Sequence, residues 1–477
     1  MTTANAAPAD GHLTGFGSKP YRTYVLTSLT IVYIFNFIDR GLLSVVGPAI
    51  KPELGISDTL FGLLTGFGFA LLYSIVGIPV AHAAETKSRV TIMAGCIALW
   101  SVMTALCGLA NPITIGGFTI SAVAVLFLCR MGVGVGESGC TPPASSLIAD
   151  YYPPKSRSTA LGFYAMGVTL GTVMANLIGG PVTDAFGWRW AFFVLGLPGL
   201  IIALVVRFTI KEPPRGYTDP PGTIRREKAS IGDTLGELFK KPTFWTMAAG
   251  VTLAAFCGYG IANFQSVFIN REFGLTSGQA AIQVNVPVYL ASAVGTLLTG
   301  WLAQKMYAKY PGAIAWIPGV GLILSVPFYW LAFTTHNFKL ALFGLVAGGF
   351  VKYGYLAAQY TIGQGVVSAR ARATATAILL FIINFLGYGL GPLFIGKVSD
   401  MIFNSRLSAA DLLGELTRKS CEGKLLKTLD ETHKAFCAAN HSSALQQSML
   451  ITAMIYGLGG VMLLISWRTL SKDMVAK

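Results

Sequence analysis

Charged side chains are scarce in this chain. Asp, Glu, Lys and Arg make up 12% of its 477 residues, whereas soluble domains carry about 25%. Hydrophobic residues account for 53%, and the mean hydropathy is +0.61. The 55 glycines lie largely inside apolar runs, where small residues let membrane helices approach closely. The composition therefore excludes a Gly-rich disordered chain and indicates an all-α integral membrane protein with many spans.

Other absences narrow the function. The sequence has no GxxxxGK[ST] phosphate loop, which argues against an ATP-driven pump. His82, His336 and His441 are assigned to span ends or loops, so no histidine and acid cluster at membrane depth indicates an enzyme. The cysteines show no metal-binding spacing, and we expect no metal or cofactor. The net charge of +14 comes mostly from an excess of Lys and Arg in the loops on one side of the membrane. Such loops attract anionic lipid headgroups, and the charge indicates no nucleic-acid partner.

Twelve apolar runs are long enough to cross a bilayer, which takes about 20 residues. Their centres lie near residues 35, 70, 100, 127, 170, 199, 256, 292, 323, 353, 386 and 458. Lys and Arg concentrate in cytoplasmic loops. Outside one inserted loop, 21 of them fall on the side of the termini, against four on the other side: Lys51, Arg189, Arg271 and Lys339. We therefore expect both termini in the cytoplasm and a first run that is retained as a helix.

A Pro-, Gly- and charge-rich stretch after the sixth run is typical of a linker. The predicted organisation is a cytoplasmic tail (1–22), an N-terminal six-helix bundle (23–209), a cytoplasmic linker (210–242), a C-terminal six-helix bundle (243–470) and a cytoplasmic tail (471–477). A non-cytoplasmic insertion (404–446) is expected to form short amphipathic helices at 412–416 and 424–429. It contains Cys421 and Cys437, which an oxidising compartment would allow to form a disulfide. Two free thiols are the alternative.

Asp39 and Arg40 stand side by side inside the first apolar run. A charge at membrane depth costs about 2.5 to 3.5 kcal/mol on insertion scales, so the pair is expected to have a use. Asn36 lies three and four residues before them, on the same side of a helix. Asp39 is predicted to bind and release the coupled proton, while Arg40 sets its charge balance or helps to hold the substrate. A structural ion pair joining spans 1 and 4 is the alternative.

Arg130 and Glu137 lie seven residues apart in the fourth run, on one helical face and about 10.5 Å apart along the axis. A guanidinium binds a phosphate or carboxylate bidentately, so Arg130 is a candidate for the substrate head group. Glu137 is a candidate for a substrate amine, or for pairing with Arg40 or Arg130. A gate latch without substrate contact is the alternative for this cluster.

The C-terminal half contains few charges at depth. Its candidate substrate-binding residues are Tyr259, Asn263, Lys352 and Asn384. Ordinary helix packing explains its other aromatic residues, and Lys352 is read equally well as the partner of a backbone carbonyl. Candidate gating residues are Glu85, Arg89, Asp150 and Arg157 on the cytoplasmic side and Asp184 and Asp400 on the other side. Solvated helix faces are the alternative for these six.

Four local patterns resemble the major facilitator superfamily. They are AHAAETKSR (81–89), RMGVGVGES (130–138), GTVMANLIGGP (171–181) followed by GWRWAFF (187–193), and the end of the eleventh run at 391–400. The first departs from the family pattern, because Glu85 and Thr86 replace its Asp and Arg. Within the superfamily, NFIDR (36–40), GVGES (134–138) and SARARATA (368–375) resemble the spinster branch, which contains lysolipid and sphingolipid-phosphate transporters and bacterial relatives.

The resemblance implies two pseudo-symmetric bundles of six transmembrane helices. It also implies a monomeric, proton-coupled secondary transporter of a bacterial inner membrane that works by alternating access. Its expected partners are membrane lipids, protons and an amphiphile such as a lysophospholipid or a sphingosine-phosphate-like molecule. Two alternatives stay open: a proton-linked carrier of small organic anions such as aromatic carboxylates, and a membrane receptor that has lost transport.

Overall fold

The structure, a computed structural model, describes residues 14–115, 117–219, 231–307, 309–368, 371–409 and 418–475. Within these residues, eleven helices are long and apolar enough to cross a membrane. Spans 1 to 6 are Lys19–Val45, Asp58–Thr86, Arg89–Cys107, Ala122–Tyr151, Pro154–Phe186 and Trp188–Thr209. Spans 7, 8, 9, 11 and 12 are Pro242–Phe273, Ser277–Tyr307, Ala313–Thr334, Thr374–Ser408 and Glu431–Asp473.

Span 10 is divided into two helices, Phe338–Lys352 and Tyr355–Gly365, which are separated by Tyr353 and Gly354. Each half is too short to cross a bilayer alone, and together they complete the set. The predicted all-α architecture of twelve transmembrane helices is confirmed. Because an even number of spans returns the chain to its starting side, both termini lie on one side of the membrane, which we call the terminus side. The other side is called the opposite side.

Several spans are composed of shorter segments. Span 2 joins Asp58–Gly62, Leu63–Phe67 and Gly68–Thr86, and span 4 joins Ala122–Ser138 and Thr141–Tyr151. Span 6 joins Trp188–Gly196 and Pro198–Thr209, and span 8 joins Ser277–Ala280, Ala281–Asn285 and Val286–Tyr307. Span 11 lies within three successive helical segments, Arg372–Ile382, Ile383–Gly389 and Leu390–Ala409. The middle segments of spans 2, 8 and 11 are wider π-helical turns. Such turns occur frequently at functional sites.

Few elements lie between the spans. The helix Gly47–Leu54 follows span 1 and is called the connecting helix, and the helix Ile231–Phe239 precedes span 7. A short antiparallel hairpin pairs Ile113–Ile115 with Phe118–Ile120, with Ile113 opposite Ile120.

Polar caps mark the starts of several spans. Ser57, Ser88 and Ser121 each accept a hydrogen bond from the backbone N–H three residues later, at the starts of spans 2, 3 and 4. Thr276 caps span 8, and Asn337 caps span 10. The first N–H groups of a helix have no partner within it, and a side-chain oxygen at the cap satisfies one of them. The sequence thus sets where these helices begin.

Contacts divide the chain into two compact units, and each is described by itself. The first unit contains Met1–Leu42, Leu71–Val182 and Phe186–Arg225. The second contains Leu43–Ala70, Thr183–Ala185 and Arg226–Lys477. Glycine allows close packing in the first unit, where a Cβ added to Gly171 would lie 2.4 Å from the carbonyl oxygen of Ile34. Any larger residue there would push spans 1 and 5 apart.

The insertion between spans 11 and 12 belongs to the second unit. The structure joins Cys421 and Cys437 in a disulfide, and Phe403, Leu407 and Ala444 pack around it. Span 12 begins inside the insertion and has 43 residues, so its length of about 65 Å exceeds the roughly 30 Å hydrocarbon core. The helix Gly423–Leu426 overlaps the expected 424–429 helix. The expected helix at 412–416 lies outside the described residues.

We predict that the number of reactive cysteines will reveal the disulfide. Denatured protein that has not been reduced should react with maleimide at five cysteines, since Cys421 and Cys437 are bonded and five others are free. Reduction should raise the number to all seven cysteines of the chain. Intact-mass spectrometry before and after reduction measures both states, and a Cys421→Ser/Cys437→Ser variant is the control. Seven reactive cysteines without reductant would contradict the disulfide.

Candidate functional site

The first unit holds four charged side chains from spans 1 and 4, of which three are buried and Arg40 is partly buried. Arg40 Nε donates to Glu137 Oε2 at 2.6 Å, and Arg130 Nη1 donates to the backbone carbonyl of Asp39 at 3.2 Å. Arg130 and Glu137 are fully buried, and Asp39 is 3% exposed. The structure therefore brings together the two predicted charged pairs, Asp39 with Arg40 and Arg130 with Glu137. We call Asp39, Arg40, Arg130 and Glu137 the charged cluster.

Two buried carboxylate oxygens of the charged cluster lack a hydrogen-bond partner among the described residues. They are Asp39 Oδ1 and Glu137 Oε1. Asn36 lies beside Glu137, and Thr104 of span 3 lies beside Asp39. Leaving a buried polar atom unsatisfied costs about 1–3 kcal/mol, and an ionisable residue inside a membrane marks a functional site by default. These oxygens can therefore accept a proton or a donor group of a ligand.

Aromatic rings surround the guanidinium of Arg40. Its central carbon lies 5.0 Å from the ring centre of Phe37 and 4.7 Å from that of Tyr73, within the range of a cation–π attraction. The sequence analysis missed Phe37, Tyr73 and Thr104. Phe37 was identifiable in principle, because residues three apart are neighbours on a helix. Tyr73 and Thr104 come from other spans, and spacing in the sequence does not show how spans pack.

The second unit holds the polar candidates of spans 7 and 11. Asn263 Oδ1 accepts from Ser44 Oγ at 2.5 Å, and its Nδ2 donates to the carbonyl of Tyr259 at 2.8 Å. The ring of Tyr259 meets Tyr388 edge to face, with centroids 4.6 Å apart. Asn384 lies in the π-helical turn of span 11 and donates to the carbonyl four residues earlier. Asn263 thus ties span 7 to the end of span 1, while Asn384 makes a local contact.

Lys352 ends the first half of span 10 and is 4% exposed. Its Nζ lies 4.8 Å from the ring centre of Tyr353, 5.3 Å from Tyr329 and 5.7 Å from Tyr456. Lys352 makes no hydrogen bond or ion pair with any residue that the structure describes. Tyrosine faces and the negative end of the helix dipole therefore stabilise its charge.

Two predicted gating residues pair on the terminus side of the first unit. Arg89 Nη1 binds Asp150 Oδ2 at 2.5 Å, and Arg89 Nε binds Glu212 of the linker at 2.6 Å. Arg89 is 1% exposed. Glu212 also accepts from the backbone N–H of Val90, so the beginning of the linker is fastened to the start of span 3. The sequence analysis did not select Glu212, because it lies in a charge-rich stretch without a pattern.

The other two predicted gating residues of this side lie at the periphery of the first unit. Arg157 Nη2 donates to Thr218 of the linker at 2.8 Å and to the carbonyl of Ala149 at 3.1 Å. Glu85 is exposed, with one carboxylate oxygen 3.9 Å from His82. Arg157 therefore provides a second attachment for the linker, and Glu85 lies at the surface.

Asp400 and Asp184, the predicted gating residues of the opposite side, each meet the start of a span in the second unit. Asp400 accepts from the backbone N–H of Thr59 at 2.8 Å, in the first turn of span 2. Asp184 accepts from the backbone N–H of Gly278 at 2.9 Å and from the hydroxyl of Thr276, at the start of span 8. Free N–H groups and the helix dipole favour a negative charge at these positions.

A further ionic group of the second unit was missed in the sequence. Asp58 pairs with Lys51 at 2.9 Å and with Arg271 at 2.8 Å. Burial lowers the pKa of Lys51, and the Asp58 carboxylate opposes that change. A signal was available, because Lys51 and Arg271 are two of only four basic residues assigned to that side outside the insertion.

Twelve spans with a charged cluster at membrane depth define a polytopic membrane carrier. The family profile described as Major Facilitator Superfamily matches residues 29–392. An MFS-type efflux pump of Mycolicibacterium smegmatis is 29% identical, over 84% of this chain and 90% of its own length. Protein spinster homolog 1 of Xenopus laevis is 27% identical, over 80% of this chain and 74% of its own length.

The solved structures include a bacterial homolog to the human lysosomal transporter Spinster, in an inward-facing and unoccupied conformation. It is 39% identical, with a TM-score of 0.86, over 96% of this chain and all of that one. The chain belongs to the major facilitator superfamily and, within it, to the spinster branch. The predicted family is confirmed, and the protein is a multi-pass membrane transporter of the secondary type rather than an enzyme.

Neutralising Glu137 should destabilise the protein. Glu137→Gln leaves Arg40 buried without its carboxylate, and removing one partner of a buried pair costs about 3–5 kcal/mol. We expect a clearly lower melting temperature in detergent, partly restored in Arg40→Gln/Glu137→Gln. Glu431→Gln removes a carboxylate from an exposed pair with Lys434 and should leave the melting temperature unchanged. If Glu137→Gln melted like this control, the buried pair would contribute nothing to stability.

Proposed function

We propose that the protein is a proton-coupled secondary transporter that works by alternating access and carries an amphiphilic lipid with a charged head group. The observation that carries this proposal is the charged cluster, in which two buried carboxylate oxygens lack partners within the described residues. A bacterial inner membrane, with both termini in the cytoplasm, and a monomeric state are part of the proposal. The opposite side is then the outer side.

Asp39 is the proposed proton site. Its carboxylate is buried next to Thr104, and the guanidinium of Arg130 donates a hydrogen bond to the backbone carbonyl of Asp39. Burial favours the neutral acid, whereas nearby arginine charges favour the carboxylate. A change in hydration or in the position of Arg130 therefore alters the proton affinity of Asp39, as alternating access requires. Arg40, paired with Glu137, sets the local charge.

The head group of the substrate is assigned to the cluster, with Arg130 and Asn36 as its proposed ligands beside Glu137. Arginine binds phosphate or carboxylate in a bidentate manner. Within the second unit, Tyr259, Asn263 and Asn384 are proposed contacts of the apolar part of the substrate, and the ring of Tyr259 packs against Tyr388. The resemblance to the spinster branch, which contains lysolipid and sphingolipid-phosphate transporters, supports an amphiphile. Lys352 is a further proposed contact.

Small organic anions such as aromatic carboxylates are the second candidate substrates. The same arginines bind a free carboxylate, and one relative is named as an efflux pump. A receptor without transport has less support, since the buried charges of the cluster are intact. The gating proposal assigns the terminus side to Glu85, Arg89, Asp150 and Arg157 and the opposite side to Asp184 and Asp400.

Asp39→Asn should uncouple transport from the proton gradient. In proteoliposomes, an imposed pH gradient should accelerate uptake of radiolabelled lysophospholipid by the wild type but not by the variant. Exchange of lysophospholipid without a gradient should persist in Asp39→Asn, because binding and conformational change need no net proton movement. Glu431→Gln, an exposed carboxylate change, is the control. A variant that remained fully gradient-driven would remove Asp39 from the proposed proton role.

Arg130→Ala should weaken binding of the substrate head group and lower the efficiency of transport. Hydrogen bonds to a charged group contribute about 1.5–3 kcal/mol, so we expect a roughly 10- to 100-fold loss in transport efficiency. Arg130→Lys keeps the charge but not the bidentate geometry, so its transport efficiency should lie between those of the wild type and Arg130→Ala. Parallel assays with lysophospholipid and with an aromatic carboxylate identify the substrate class. Flux of the carboxylate without flux of lysophospholipid in the wild type would favour the second candidate.

A further inference from the structure

One carboxylate at the opposite side of the second unit receives four side-chain contacts. Arg271 donates to both oxygens of Asp58, from Nη1 at 2.8 Å and from Nη2 at 2.9 Å. Lys51 Nζ lies 2.9 Å from Oδ1, and Ser399 Oγ donates to Oδ2 at 2.6 Å. Asp58 is 1% exposed and Lys51 is 6% exposed. A bidentate arginine pair with further donors is among the strong forms of ionic contact.

These contacts join distant parts of the sequence. Asp58 is in the first turn of span 2, Lys51 is in the connecting helix, Arg271 is near the end of span 7 and Ser399 is near the end of span 11. The backbone of the same turn is also held, because Asp400 accepts from the N–H of Asp58. One turn of span 2 is therefore fixed by its side chain and by its helix terminus.

A second contact in the same unit, between Asp184 and the start of span 8, repeats the helix cap but has no ion pair beside it in the described part of the chain. The segments Val182–Asp184 and Val398–Asp400 read Val-Thr-Asp and Val-Ser-Asp, and each ends in an aspartate that caps a span of the other sequence half. The position that corresponds to Asp58 at the start of span 8 is Ser277. Among the described residues, Asp184 makes no ion pair. The repeat thus supplies two caps, but only one is reinforced by a buried ion network.

We propose that Asp58 is the positioning residue that keeps the opposite side of the transporter closed. Opening that side requires span 2 and the connecting helix to separate from spans 7 and 11, and the carboxylate then leaves Arg271. The cap made by Asp184 has no such charge to separate, so the barrier to opening is concentrated at Asp58. The inference rests on the alternating access proposed above, but it does not depend on the substrate or on proton coupling.

A buried reporter next to the network makes the closure measurable. Val267 is 2% exposed and lies one helical turn before Arg271 in span 7. It faces the connecting helix, since a Cβ added to Gly47 would lie 3.0 Å from its Cγ2. In Val267→Cys, a charged, membrane-impermeant maleimide reaches the thiol when these elements separate. Cys257 in the same span is fully buried, and its own labelling reports unfolding.

The experiment measures labelling rates in lipid nanodiscs without substrate, with modified peptides quantified by mass spectrometry. In the Val267→Cys protein, Asp58→Asn and Arg271→Gln should each accelerate labelling at 267 at least tenfold. The double variant should exceed neither single variant by more than about twofold, since both remove one interaction. Asp184→Asn should change the rate less than threefold. Glu431→Gln, which removes a surface carboxylate, should leave it unchanged.

Three outcomes would overturn the inference. The first is an unchanged rate in Asp58→Asn; the second is an equal acceleration in Asp184→Asn. The third is parallel acceleration at Cys257, which would make the network a folding element rather than a closure. None of these readouts uses transport, so a failed lysophospholipid assay leaves the inference standing. A failed labelling assay with intact proton-driven uptake rejects the inference and leaves the proposed function in place.

Discussion

A charge inside a hydrocarbon layer is stable only when the protein compensates it, and this constraint organises the molecule. Arg40 has Glu137 and two aromatic rings, Arg130 has a backbone carbonyl, and Lys352 has three tyrosine faces. Asp39 and Glu137 each keep one buried carboxylate oxygen without a partner within the described part of the chain, and of the two only Glu137 forms an ion pair there. Burial favours the neutral acid and nearby arginines favour the carboxylate, which is why Asp39 is the proposed proton site.

The internal repeat explains some features of the second unit and not others. Each half of the sequence has an aspartate toward the end of its fifth span, Asp184 in span 5 and Asp400 in span 11. Asp184 caps the start of span 8, and Asp400 caps the start of span 2. A repeated segment gives this result automatically. The ion network around Asp58 is an addition to one copy, because the corresponding residue of the other copy is Ser277. The closure proposed above uses this one reinforced contact of an otherwise repeated pair.

Twelve apolar runs and the family resemblance were sufficient to predict the fold. The polar caps that mark where several helices begin were seen only in the structure. Spacing also placed Arg130 and Glu137 on one face of span 4, and a charged residue in an apolar run identified Asp39 and Arg40. Partners from other spans were not accessible in this way. Tyr73 lies in an apolar run and Glu212 in the charge-rich linker, and neither context shows which distant residue packs against it. Asp58 was indicated only indirectly, through the basic residues Lys51 and Arg271 on the same side.

Span 1 connects the two groups of contacts through a single helix. Asp39 belongs to the first unit and Ser44 to the second, and the two residues are five positions apart in the continuous helix Lys19–Val45. Ser44 is bonded to Asn263 of span 7, and the connecting helix that carries Lys51 follows directly. The proposed proton site and the contact with span 7 are therefore carried by one continuous helix. Coupling of two sites requires a shared element with two arrangements, and span 1 is the element that these two sites share.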